Sequence, residues 1–181
     1  MQKDSLPTPL LPTDGSEERV LIVDEKNEPL GFIARTLMRK QGLIHRASYV
    51  LVRNRAGELF IQKRTNTKDV FPGFWDIAAG GVVQFGESYE ESAQRELKEE
   101  LGIEVSNMSY LFDHYYTRQE TRVWGRVFTC THEGPFFLQA EEIAYGRFIA
   151  LRDIVQLHEK EPITPDGMEI FDRFMKSLAP Q

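Results

Sequence analysis

The stretch from Ser88 to Gly102 carries the start signal, the stop signal and the apolar face of one amphipathic helix. Ser88 is placed to be its N-cap, and Glu91, three residues on, is the capping-box partner. Ala93, Leu97 and Leu101 form an i, i+4 apolar line that needs a second layer to cover it. Gly102 is the stop. The segments around this helix supply that layer. Arg19–Asp24 and Pro29–Ala34 flank a turn at residues 25–28, and Ala47–Arg53 and Leu59–Gln62 flank the hairpin turn Asn54-Arg55-Ala56-Gly57. Tyr110–Tyr116, Arg122–Thr131 and Gly146–Ala150 read as further strands. Arg35–Gln41 has helical spacing with Gly42 as a stop, and Thr164-Pro165 opens a terminal helix whose stripe is Ile170, Phe171, Phe174 and Leu178. Residues 65–76 hold a Pro-Gly pair and read as a loop. Strands interleaved with helices predict an α/β (α+β) fold, with a mixed β-sheet covered by helices.

A chain of 181 residues suits one domain, here residues 19–181, behind a flexible N-terminal tail over 1–18 that holds Pro7, Pro9, Pro12 and Gly15. The net charge of −6 argues against a nucleic-acid polymer or an anionic membrane as partner. The N-terminus has no apolar run of signal-peptide type and no segment approaches the length of a membrane span, so the expected location is cytoplasmic. Cys130, the one cysteine, lies in a strand-like run and reads as a buried, inert thiol.

Chemistry concentrates on the central helix. Glu96, Glu99 and Glu100 stand at i, i+3 and i+4, so they share one face with Cβ atoms roughly 5–6 Å apart. Like charges so placed repel in water, whereas a hard divalent cation that prefers carboxylate oxygen makes the same cluster favourable. A plain solvated acidic face is the alternative, and the surroundings weigh against it. Arg95 precedes Glu99 by four residues and can fix its rotamer. Glu87 sits at the mouth of the helix, and Gly80-Gly81 expose backbone that can approach an ion or a phosphate.

Gly81, Glu87, Arg95, Glu96, Leu97, Glu99, Glu100, Gly102 and Ile103 reproduce the pattern G-x5-E-x7-R-E-U-x-E-E-x-G-U without a gap, where U is a bulky aliphatic. In this the chain resembles the Nudix hydrolases. The resemblance implies an α-β-α sandwich, here with an N-terminal β-hairpin extension. It also implies Mg²⁺ as cofactor, with Mn²⁺ as a substitute, held by Glu96, Glu99 and Glu100, with Glu87 and the Gly81 backbone as further ligands. Glu96, Glu99 and Arg95 are then the catalytic side chains. The implied reaction is attack of water on a phosphorus of an organic diphosphate. The general base is left open between Glu96 and a later-loop glutamate, Glu141 or Glu142. A homodimer is compatible with the resemblance, but the chain gives no independent sign of one.

A finer likeness, to the YfcD-type members of the isopentenyl-diphosphate isomerase-like branch, rests on His45-Arg46-Ala47-Ser48, Gln62-Lys63-Arg64, Phe71-Pro72-Gly73-Phe74-Trp75, residues 79–84 and Val123-Trp124-Gly125. It implies that Arg64 and Lys68 grip the diphosphate, with strand-end surface charge as the alternative. It also raises isomerase as a second function. That enzyme moves a proton at carbon with a cysteine and a glutamate, and holds a metal largely by histidines. Aligned on Trp75 and Gly86-Glu87-Ser88, its cysteine falls on Gly80 and two of its histidines on Val82 and Met38; only His45 keeps a matching type. Glycine and valine cannot transfer protons, so hydrolysis is the expected activity. A catalytically silent Nudix binding module is the third reading, and such modules normally lack some of the acids that are all present here. Phe71, Phe74 and Trp75 read as core rather than as a stacking platform.

Overall fold

The computed structural model describes residues 17–118 and 121–178. In chain order these form β1 (Arg19–Val23), β2 (Pro29–Ala34), α1 (Arg35–Lys40), β3 (His45–Arg53), β4 (Leu59–Arg64), β5 (Trp75–Asp76), β6 (Ala79–Val82), α2 (Tyr89–Leu101), β7 (Ser109–Arg118), β8 (Thr121–Thr131), β9 (Ile143–Ile149), α3 (Ile154–Lys160) and α4 (Pro165–Leu178). β3 is the hub. It runs parallel to β8 from His45↔Val123 to Arg53↔Thr131 and antiparallel to β6, and it meets β1 at Ile22↔His45 and β4 at Arg53↔Leu59. β7 extends the sheet antiparallel to β8, and β4 pairs antiparallel with both β5 and β9.

The sheet is mixed and covered on both faces, as the sequence predicts. The two-residue period of a strand sorts its side chains to opposite sides. Val50 and Val52 of β3 pack with Ala93, Leu97 and Leu101 of α2. Leu51, between them, packs on the other side with Ile154 of α3 and Ile170, Phe171 and Phe174 of α4. The β1–β2 hairpin and α1 carry a smaller core of their own, with Val20, Ile22, Ile33 and Met38 against Val82 of β6.

Three differences from the sequence reading have physical causes. β5 and β6 fall where a loop and a Gly-Gly pair stand; glycine is a poor strand former, so β6 carries no strand signature. α3 is short and has no side-chain cap, so it sends no start signal. β9 begins at Ile143, three residues before its expected start, because the Lys63/Arg64 irregularity in β4 lets Arg64 pair with Ile143. Of the tail expected over 1–18, residues 1–16 lie outside the described residues. Glu17 and Glu18 are tied to α1: Glu18 accepts from Arg35 at 2.7 Å, and Glu17 pairs with the Thr36 hydroxyl. Among the described residues no helix is long and apolar enough to cross a membrane.

Candidate active site

α2 is set against the sheet by its two ends and its apolar line. The Ser88 hydroxyl accepts from the Glu91 N–H at 3.1 Å, and the Glu91 carboxylate accepts from the Ser88 N–H at 2.8 Å, closing the capping box. Gly102 ends the helix at φ 65°. With Ala93, Leu97 and Leu101 buried, α2 presents Glu96 and Glu99 to a cavity of about 220 Å³ bounded by β3, β6, α1 and the 65–74 loop. The neighbouring β6 is shaped to admit them. A Cβ on Gly81 would lie 2.5 Å from Glu96 Oε1, so glycine here is what lets the carboxylate rest against the strand. A Cβ on Gly80 would run into the Ser48 carbonyl oxygen instead, so Gly80 is required for the β3–β6 pairing itself.

Arg95 occupies the middle of the acid cluster. It donates to Glu87 at 2.7 and 3.1 Å, to Glu96 at 2.7 Å and to Glu99 at 3.1 Å, and it reaches the Val82 carbonyl. Burial works against its charge, but the bonds to Glu87 and Glu96 outweigh that and raise its pKa. The expected Arg95–Glu99 pair is therefore one of three. Glu87 is held as a partner of Arg95 and of the Gln84 N–H rather than bordering the cavity. Glu100 is 5% exposed and turns inward, accepting from Gln62 at 3.1 Å and from the Gly80 N–H at 3.1 Å. Burial, reinforced by the Glu96 charge, pushes its pKa up to about 8. Burial also raises Glu96, against the pull of Arg95. Among the described residues no three His, Cys, Asp or Glu side chains stand close enough together to form a ready metal cage. The donor type nevertheless fits a hard divalent cation. Carboxylates of Glu96, Glu99 and Glu100 border one cavity beside a glycine whose missing Cβ makes the space.

Basic side chains border the same cavity, Arg64 and Lys68 among them. Arg64 bonds the Val70 carbonyl at 2.9 and 3.1 Å and Asp76 at 3.2 Å, and Lys68 bonds Glu142 at 2.6 Å. Of the two loop glutamates, the structure brings in Glu142 alone. Glu141 is exposed, does not border the cavity, and offers its backbone carbonyl to Thr65. Sequence reasoning missed Arg35 and Arg39 of α1, which border the same cavity; nothing in a short basic helix reveals where it points. It also missed the floor. Asp76, at 17% side-chain exposure, is raised to about 6 by burial, with Arg64 opposing and Asp166 adding to the rise. Tyr49 donates to Asp166 at 3.0 Å, and the other Asp166 oxygen is buried with no partner among the described residues.

Several neighbours are structural. His45 is 7% exposed, bonds the Leu43 carbonyl through Nδ1 at 3.1 Å, and is held by burial at a pKa of about 4. Trp75 is in the core and donates to Glu161 at 2.9 Å, while Phe71 reaches the cavity rim. Cys130 is buried in β8, and burial pushes its thiol up to about 11, as an inert thiol requires.

The chain matches the NUDIX domain family over residues 43–173. It is 42% identical over 152 residues to the uncharacterized Nudix hydrolase PA4841 of Pseudomonas aeruginosa, covering 84% of this chain and 90% of that one. It is 40% identical over 164 residues to the uncharacterized Nudix hydrolase YfcD of Escherichia coli, covering 91% and 90%. The crystal structure of DR0079 from Deinococcus radiodurans superposes with a TM-score of 0.77 at 27% identity, over 86% of this chain and 98% of that one.

Proposed function

The chain belongs to the Nudix hydrolase family, with YfcD-type relatives, and from that premise we propose that it is a Mg²⁺-dependent enzyme cleaving the diphosphate of a polar organic diphosphate, such as a nucleoside diphosphate-linked compound. The observation that carries the reading is a single cavity bordered by the α2 acids Glu96, Glu99 and Glu100, the cations Arg64 and Lys68, and the carboxylate of Glu142. Glu96, Glu99 and Glu100 would hold the metal, with the Gly81 backbone and Glu87 beside them. When bound, the metal supplies charge neutralisation at the phosphates and a lowered pKa for attacking water.

The chain's own residues do the rest. Arg64 and Lys68 bind the diphosphate, exchanging Asp76 and Glu142 for phosphate oxygens of higher charge. That exchange frees the Glu142 carboxylate inside the cavity to take a proton from water, which makes it the better general base beside Glu96; Glu141 is too exposed for the role. Arg95 holds Glu87, Glu96 and Glu99 at fixed rotamers. Tyr49, Asp76 and Asp166 give the floor a polar character that suits a hydroxyl- or amine-bearing leaving group better than a prenyl chain. The isomerase reading is disfavoured by Gly80, where the isomerase cysteine would fall, because no side chain fits against the Ser48 carbonyl.

The test is incubation of purified protein with a panel of diphosphates, with and without Mg²⁺, with products identified by mass. We expect a phosphate-containing product from a polar diphosphate and no interconversion of isopentenyl and dimethylallyl diphosphates. Isomerisation at an enzymatic rate, or no cleavage of any panel member, would remove this reading.

A further inference from the structure

The ladder between β3 and β8 ends at Arg53↔Thr131. That end is roughly 26 Å along the strand from His45, which borders the cavity described above. Here a second pocket, of about 470 Å³, opens between the strand ends and the segment 104–109 that leads into β7; it shares no lining residue with the first. Strand alternation puts Arg53 on the face of Leu51, the face that α4 covers. Its guanidinium lies 5.5 Å from the centroid of the Phe174 ring, and a Cβ on Gly57 would stand 3.2 Å from its Nη2, so ring and turn hold it in place. On the same face stand Thr131, its partner in the ladder, and Ser109, which pairs with Thr129.

What this guanidinium lacks is an acceptor. None of the ion pairs among the described residues includes Arg53. Its Nε is buried with no partner among the described residues, and so is Nε2 of His132, which lines the same pocket. The acids at hand are engaged elsewhere. Glu133 accepts from the Arg55 N–H at 2.6 Å. Glu104, the one acid on the pocket's lining, has a side chain 76% exposed and pairs with Lys98 at 2.6 Å. A buried polar group without a partner is uncommon, and it costs more when it is charged. The remaining lining is rich in neutral donors, with Ser106, Asn107, Ser109 and Thr131. A fixed guanidinium among hydroxyl and amide donors is suited to an oxyanion, and neither to a metal ion nor to an apolar ligand.

We propose that this pocket binds a phosphate group, with Arg53 as the anchoring charge and His132, Ser109 and Thr131 as donors around it. The planar fork takes two phosphate oxygens at once. A phosphate has more oxygens than a carboxylate with which to meet this many donors. It is either inorganic phosphate or the end of a phosphomonoester whose organic part lies toward Ser106 and Asn107. The site is remote from the acids of α2 and takes no part in cleavage, so it stands apart from the hydrolase reading.

NMR on the full chain in EDTA, following amide and arginine Nε–H resonances, locates binding directly. The probes are inorganic phosphate and AMP, with sodium chloride at matched ionic strength as the control. Phosphate should shift the Arg53 Nε–H and the amides of Ser109, Thr131 and His132 in a saturable way that chloride does not reproduce. Arg53→Gln should weaken that binding by about 10-fold or more, the worth of a charge-assisted hydrogen bond. Arg53→Lys keeps the charge without the fork and should keep part of the affinity. Thermal melts establish that each variant is folded; Arg53→Lys and Ser109→Ala carry the test should Arg53→Gln not fold. Resonances of Arg64 and Lys68 report the first cavity separately, so phosphate bound there is not counted. AMP binding more tightly than phosphate assigns the site to a phosphomonoester, and AMP binding no more tightly assigns it to inorganic phosphate. No saturable shift at these four residues with either probe, or wild-type affinity in both Arg53 variants, overturns the proposal. Absence of Mg²⁺-dependent cleavage would count against the hydrolase reading alone, since no metal or turnover enters this measurement.

Discussion

Two adjacent glycines do different work, and substitution should separate them. Gly81→Ala places a methyl group where the end of the Glu96 side chain lies, so the carboxylate must move while the fold stays. Cleavage should fall by about 10-fold or more, the worth of one displaced charge-assisted contact, with little change in Tm. Gly80→Ala meets the Ser48 backbone and should unfold or strongly destabilise the chain. Equal loss of stability in the two variants would show that Gly81 serves packing and not Glu96. His45 gives a pH signature of its own. Burial holds it near 4, well below its ordinary value of about 6.5. A depressed histidine pKa means that the unfolded chain takes up the proton first. The stability it contributes is therefore present above about pH 6.5 and lost as pH falls toward 4. Between pH 7 and 5 that loss is about 2 kcal/mol. Denaturant titrations of wild type and His45→Gln at both pH values read it as the difference in slope; parallel lines would show that His45 does not titrate this way. That Glu96, Glu99 and Glu100 border one cavity was legible at this scale, because i, i+3 and i+4 spacing brings them to neighbouring positions on the helix. The inward turn of Glu100 was not, because it depends on Gln62 and Gly80, which lie far from it in the chain.

α2 was legible in full because its signals are local: a cap, a stop and an apolar line. Ser88→Ala removes the acceptor for the Glu91 N–H and should cost about 1 kcal/mol, read as a lowered Tm with the pH and metal behaviour unchanged; no loss would mean that water caps the helix equally well. Glu99→Gln and Glu100→Gln act on the same element with different side effects. Glu99 is half exposed and, among the described residues, bonds Arg95 alone, so its loss should abolish Mg²⁺-dependent cleavage and leave stability near wild type. Glu100 is buried against Gln62 and the Gly80 N–H, so its amide also alters the packing of β6. Wild-type turnover in both variants would remove the metal assignment. α1 was legible as a helix and illegible as a wall of the cavity. Six residues can show that a segment turns, but their direction is set by the hairpin core of Val20, Ile33 and Met38 on which they sit. β6 was illegible even as a strand, since what defines it is close approach to β3 and α2 rather than any β-forming side chain.

At the scale of the whole molecule, the cavity exists because elements remote in sequence meet around β3. α1 comes from the N-terminal hairpin, the acids from α2, Glu142 from the approach to β9, and Asp166 from α4. A cation bound among the acids joins parts of one folded state, so Mg²⁺ should raise Tm in a saturable way, by mass action on that state alone. The effect should be lost in Glu99→Gln and kept in Lys40→Gln; a flat Tm in wild type would argue against a metal at this place. The parallel ladder between β3 and β8 has a separate consequence. It pairs His45 with Val123, 78 positions apart, so the acids and most of the cations they face lie inside one long loop closed by that ladder. Closing such a loop costs chain entropy before any contact rewards it, and it places the protein among slower-folding topologies. A ribosome-bound chain must therefore emerge past Thr131 before β3 can gain its longest partner. Until then Val50, Val52 and the apolar line of α2 have only a partial sheet to cover them, and this is the stage at which a nascent chain is most exposed to aggregation.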